Sequence, residues 1–182
     1  MIKLKAYHGT LKKNVNSIKE NGFIISTKNF EWLGTGIYFF ADKEFAEQWA
    51  LQESLKRKGP DREPAVLSAD LICNEEEFFD LDIEENMKRL VGTITTAVSI
   101  KDNRGRFVIQ DKEANRILRC MACNLFSKAE NIKIYAYSFP ALQFNVIGFP
   151  IPKPQRQYAV QDNSYILNVN EVPMEVDDDA TV

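Results

Sequence analysis

The sequence predicts a single α+β domain built on largely antiparallel sheets. Two observations carry this expectation. Strand-like and helix-like stretches occur in comparable amounts but in no regular strand-helix-strand alternation. The one glycine-rich turn, GTGIYF at 34–39, has only the first half of a dinucleotide-binding G-x-G-x-x-G and runs into a strand pattern instead of a helix. A Rossmann-type sheet is therefore not expected.

The elements follow in order. IKLKAYH (2–8) alternates as a half-buried strand does and ends at Gly9-Thr10. Thr10 or Asn14 is placed to cap the next segment, VNSIKENG, whose apolar residues recur at helical spacing and stop at Gly22. FIIS (23–26) reads as a short strand. LGTGIYFF leads from the glycine turn into a strand, and DKEFAEQWALQESLKR, with Phe45, Trp49 and Leu55 among charges, reads as an amphipathic helix capped by Asp42. KGPDREP (58–64) is a charged loop; AVLSADLIC and FFDL read as strand.

IEENMKRLVGTITTAVSI (83–100) is a helix weakened by Gly92 and β-branched residues, and KDNRGR is a turn. DKEANRILRCMACNLFSKA gives the clearest helix, with Ile117, Leu118, Met121, Ala122 and Leu125 as its expected buried stripe. Strands follow at IKIYAYSF, QYAVQ and SYILNVNEV, the proline run GFPIPKP separating the first two. These elements place one domain in residues 1–172 and an acidic, flexible tail in 173–182.

Composition narrows the function classes. The 182 residues are 45% hydrophobic and 27% charged, ordinary for a soluble domain; 23 basic against 26 acidic residues give a net charge of -3, so there is no global pull toward polyanions. No stretch reaches the ~20 apolar residues of a spanning helix, and the N-terminus lacks the apolar core of a signal peptide. No membrane association and a cytoplasmic location are expected. Cys73, Cys120 and Cys123 are read as reduced thiols, and the Cys-x-x-Cys pair, lying within a helical pattern with no histidine near, as two buried small residues rather than a metal or redox site.

The single histidine, His8, stands at the end of the first strand. With HGT (8–10), NSIKENGFIIS and LGTGIYFFADKEFAEQWA in this order and spacing, the opening half of the chain resembles the ADP-ribosyltransferase domains of the diphtheria-toxin and poly(ADP-ribose) polymerase type. PAVLSADLICNEEEFFDL and RQYAVQDNSYIL are similar to later strands of that family, whereas about 83–130 reads as a helical insertion without a clear family counterpart. The resemblance implies a split pair of antiparallel sheets with flanking helices. It also implies NAD as substrate, with no metal, and transfer of one ADP-ribose to a macromolecular acceptor, protein or nucleic acid.

By the same resemblance, His8 bonds a ribose hydroxyl of NAD and Gly9 offers backbone groups to its carboxamide, with Thr10 and Gly36 also among the NAD-binding residues. Tyr38 stacks on the nicotinamide and Trp49 covers its other face. Gln157 takes the position of the family's catalytic glutamate. These types suit the chemistry: cleaving the nicotinamide–ribose bond passes through an oxocarbenium-like state, which rewards firm orientation and nearby negative charge. Two positions depart from the family pattern. Ala46 replaces a serine that anchors the carboxamide, so Ser26 or Thr27 is a candidate substitute. Gln157 carries no charge and cannot act as a base, so Glu31 or Asp162 is a candidate carboxylate. Gln155-Arg156-Gln157 also resembles the Gln-x-Glu acceptor motif of the toxin branch without its carboxylate.

Other readings of the same residues stay open. His8 alone fits a strand-end imidazole bonded to backbone, Tyr38 and Trp49 fit core packing, and Gln157 fits a surface strand. Lys56, Arg57, Lys58 and Arg62, like Arg104 and Arg106, fit a solvated surface or a border of the NAD cleft. The rival functions are an NAD- or ADP-ribose-binding module without turnover and an RNA 2′-phosphotransferase of the same superfamily, which would need a second histidine. The compact single domain also fits a bacterial or phage toxin held by an antitoxin protein.

Overall fold

The computed structural model describes residues 1–97, 112–140, 143–146 and 149–174. Nine strands and four α-helices are assigned in the described residues: β1 (Ile2–Leu11), α1 (Lys12–Asn21), β2 (Ile37–Phe40), α2 (Lys43–Leu55), β3 (Pro64–Cys73), β4 (Phe78–Asp80), α3 (Glu84–Ala97), α4 (Lys112–Glu130), β5 (Ile134–Phe139), β6 (Gln143–Val146), β7 (Phe149–Pro152), β8 (Gln155–Val160) and β9 (Ile166–Val172). Seven strands form one sheet in the order β4-β5-β8-β2-β1-β3-β9, and β6 and β7 form a separate hairpin. Among the paired strands of the described residues, only β4 and β5 run parallel. The α+β class with a largely antiparallel sheet is what the sequence predicted.

The seven strands form one sheet, with its shortest register between β1 and β2. β1 pairs with β3 along its whole length, Ile2↔Cys73 to Leu11↔Pro64, but meets β2 in register only at Tyr7↔Phe40. One half is thus β4-β5-β8-β2 and the other β1-β3-β9, and beyond Tyr7 they part. Helices cover both faces of the second half. Val15 of α1 packs with Leu67 and Ala69 of β3, whereas Ala46 and Ala50 of α2 pack with Val66. Because neighbouring strand residues point to opposite faces, α1 and α2 lie on opposite sides. β3, covered on both, reads accordingly as a nearly continuous apolar run. The other half is covered by α3 and α4, through Leu90, Cys123 and Phe126 against Phe79 and Tyr135.

Several local expectations are corrected. FIIS forms no strand: Ser26 alone bridges to Gly36, Ile24 is 94% exposed, and the backbone of Phe23 is held instead by the Asn163 amide, which donates to its carbonyl and accepts from its N–H. Neither Thr10 nor Asn14 caps α1, which starts directly from β1, Thr10 lying inside that strand and accepting from Asn14. Asp42 holds the N-cap position of α2 but its carboxylate turns to Lys153 instead of the helix amides.

Among the described side chains of α4, Cys120, Ala122, Cys123, Phe126 and Ser127 are buried and Ile117 and Leu118 half-buried, while Met121 and Leu125 are each 48% exposed. Ala122, Cys123 and Phe126 cluster with Phe79 and Tyr135, so the buried stripe is displaced from the expected one. Part of the proline run, Phe149–Pro152, is a strand of the β6–β7 hairpin. The expected turn at 101–106, with Arg104 and Arg106, and residues 175–182 of the expected tail lie outside the described residues. Among the described residues no helix is long and apolar enough to cross a membrane.

Candidate functional site

The parting of β1 from β2 opens a cleft of about 580 Å³. Its walls take residues from β1 (His8, Gly9), from the 24–36 loop, from β2 (Tyr38, Phe40), from α2 (Trp49) and from β8 (Gln155, Gln157). Of the seven residues expected to form the site, six line this cleft: His8, Gly9, Gly36, Tyr38, Trp49 and Gln157. Thr10 does not; it is buried, with its hydroxyl taken by Asn14.

His8 sits where main-chain pairing between the half-sheets has ended. Its Nδ1 lies 2.8 Å from the carbonyl oxygen of Tyr38. A carbonyl only accepts, so Nδ1 carries the proton. The ring also meets Phe23 and Phe39 at 5.0 and 5.6 Å between centroids. Burial against these rings pushes the imidazole below its ordinary range, the bond to Tyr38 opposing only part of that shift. At neutral pH the ring is therefore neutral, with Nε2 as an unprotonated acceptor, the state that receives a hydroxyl proton from a ligand. The backbone-bonded imidazole and the cleft residue are one and the same.

Gly9 has a packing reason beside any role toward a ligand. A Cβ built there would stand 2.2 Å from the Ala46 carbonyl oxygen and 3.0 Å from the Ala50 nitrogen. Ala46, fully buried in this contact, does not line the cleft. A Cβ at Gly36 would similarly meet the Val160 carbonyl at 3.0 Å.

Tyr38 fixes the loop above the cleft. Its hydroxyl accepts from the Leu33 N–H at 2.8 Å and donates to the Gly34 carbonyl at 2.7 Å. Burial raises its pKa far beyond the ordinary tyrosine range, so it stays a neutral phenol. Gly34, at φ 84°, gives the turn the left-handed conformation that brings both groups to one oxygen. Trp49, 46% exposed, leans on Phe40 at 6.3 Å and has the Lys56 ammonium 5.3 Å over its ring.

On β8, alternation puts Gln155 and Gln157 into the cleft and turns Arg156 away, where it binds Asp80 and Asp82, each at 2.6 Å. The Gln157 amide donates to Gln155 Oε1 at 2.7 Å. Of the two candidate carboxylates, Glu31 lines the cleft and Asp162 does not, its side chain accepting from the Ser164 N–H in a turn. Of the two candidate hydroxyls, Ser26 lines the cleft and Thr27 does not; Ser26 Oγ donates to Glu31 Oε1 at 2.6 Å. Glu31 is the one carboxylate among the lining residues.

Sequence reasoning missed the cations and much of the apolar wall. Lys56, Arg57, Lys58 and Arg62 do not line the cleft; Lys28 and Arg116 do, both over the ring of Phe30, at 5.9 and 5.3 Å. The available signal was KNFEW (28–32): a cation, two aromatics and an acid in a stretch with neither helical nor strand periodicity, where core packing does not account for them.

Cys120 and Cys123 are buried core residues, as the sequence predicted, and burial pushes the Cys123 thiol up to about 12. Among the described residues no cluster of three or more His, Cys, Asp or Glu is placed to hold a metal.

No family model matches the chain. The chain is similar to an uncharacterized protein of Methanocaldococcus jannaschii, with 32% identity over 81 residues, 44% of this chain. It spans 38% of that relative's length, so the shared segment is less than half of either protein.

Proposed function

We propose that this protein is an NAD-dependent mono-ADP-ribosyltransferase acting on a macromolecular acceptor. The observation that carries the reading is the convergence of His8, Tyr38, Trp49 and Gln157, from β1, β2, α2 and β8, on one cleft where the two half-sheets part. A slot of about 580 Å³ with aromatic walls and polar side chains along its length is a size and lining suited to a small planar ring and its sugar.

In this reading the nicotinamide lies among Tyr38, Phe40 and Trp49, and His8 Nε2 accepts from a hydroxyl of the adjacent ribose. Gln157, already oriented by Gln155, holds the neighbouring hydroxyl through its amide. Bond cleavage leaves the ribose carbon cationic, and Glu31 supplies the negative charge that Gln157 lacks. Lys28 and Arg116 meet the phosphates. The acceptor nucleophile then takes the ribose carbon and gives its proton to Glu31 or to solvent.

The test is incubation of the purified protein with labelled NAD and cell extract, followed by separation of protein and nucleic acid. Label enters one fraction with the intact protein and falls to background with His8→Ala. Absence of both NAD binding and labelling overturns the reading. Gln157 favours a second reading, an NAD- or ADP-ribose-binding module without turnover; it predicts NAD affinity with no nicotinamide released.

A further inference from the structure

A second cavity, of about 390 Å³, lies behind the first and shares with it only the Trp32 and Phe139 walls, whose rings meet edge to face at 5.3 Å. It is formed where α3 and α4 cover β4 and β5, so its lining comes largely from Leu33, Leu81, Met87, Leu90 and Tyr137. Among the described residues one permanent cation stands in it, Arg119 of α4. The guanidinium lies 3.7 Å from the centroid of the Trp32 ring, and its Nε donates to the Trp32 carbonyl at 3.1 Å. Its Nη2 is buried and has no hydrogen-bond partner among the described residues.

This combination is unusual for a core. Elsewhere in the described residues the half-buried arginine, Arg156, is answered by two carboxylates. Arg119 is held in place by stacking and one backbone bond, while a donor of fixed geometry stays unanswered in a largely apolar space whose other strongly polar lining residue is Asn115. An apolar cavity with one convergent charged donor is the form of a small-molecule site.

We propose that this cavity binds a small organic monocarboxylate, its oxygen on Arg119 Nη2 and its apolar body among Leu33, Met87 and Leu90. The inference stands on this cavity alone and does not depend on the use of NAD in the neighbouring cleft. Because Trp32, on which Arg119 stacks, belongs to the shared wall, occupancy here reaches the loop that carries Glu31.

The test uses octanoate and octanol, which share an apolar chain and differ in the anionic head, titrated into the full chain with methyl-labelled methionine and read by NMR. Octanoate is expected to bind at least ten-fold more tightly than octanol and to shift the Met87 methyl resonance. Arg119→Met is expected to reduce octanoate to the affinity of octanol and leave octanol unchanged. Equal binding of the two compounds by the unaltered protein, no binding of octanoate at millimolar concentration, or a bound octanoate that leaves Met87 unmoved would each overturn the proposal. These outcomes need no variant, so an unstable Arg119→Met does not shield it.

Discussion

The Nδ1 of His8 and the carbonyl oxygen of Tyr38 stand 2.8 Å apart, and this one bond joins the two half-sheets beyond the last main-chain pair at Tyr7 and Phe40. It sets the tautomer of the imidazole, and burial keeps the ring neutral. The sign of the resulting pH dependence follows. The folded-state pKa is depressed below the unfolded value of about 6.5, so the contribution to stability is fully present above that pH. As pH falls below it, the unfolded chain takes up a proton that the folded chain refuses, and stability is lost progressively until the folded pKa is reached. His8 is the only histidine of the chain, so no other imidazole blurs the effect. Melting temperature from pH 7.5 to 5 is expected to fall more steeply for the native protein than for His8→Gln; parallel curves would show that this ring is not buried neutral.

Tyr38→Phe keeps the ring and removes the oxygen shared by Leu33 and Gly34. Leaving that amide and carbonyl unanswered costs about 1–3 kcal/mol. NAD affinity is expected to weaken several-fold although the aromatic face survives, because the loop bearing Glu31 and Trp32 loses its tie. Urea denaturation and NAD titration check both parts; an unchanged affinity would mean that the loop takes no part in binding.

Gly9→Ala places a methyl group against the α2 backbone at the Ala46 carbonyl, where no side chain can swing aside. Overpacking of this kind costs about 1–3 kcal/mol, or more if the helix must move. Denaturation midpoints read it directly, and a stable Gly9→Ala would mean that α2 does not sit as close to β1 as described.

Much of this was legible in the sequence because it depends on local chemistry. Strand alternation set β1 and β5, and an aromatic-glycine run gave the turn into β2. The Cys-x-x-Cys within a helical pattern identified buried small residues. What escaped was non-local. No periodicity reveals that the Asn163 amide substitutes for a strand partner of Phe23, or that cysteine rather than methionine faces inward on α4, since both depend on which surface arrives opposite. The site shows the same division. His8, Tyr38 and Gln157 stand in strands of readable pattern, whereas Lys28, Phe30 and Arg116 are brought together by a loop and a distant helix. The choice of Glu31 over Asp162 could be made only once one lay in the cleft and the other in a turn.

Glu31 against Gln157 is where the proposed chemistry is most exposed. If Glu31 carries the negative charge of the cleft, Glu31→Gln leaves NAD affinity within a few-fold and lowers the rate of bond cleavage by about 10²-fold or more. The decisive measurement is release of free nicotinamide from NAD, followed by proton NMR, with the purified native protein and with Glu31→Gln at saturating NAD. The account predicts steady release by the native protein and near-complete loss in the variant. Equal release by both would remove Glu31 from the mechanism, and NAD that neither binds nor breaks down in the presence of the native protein would contradict the assignment of the cleft itself.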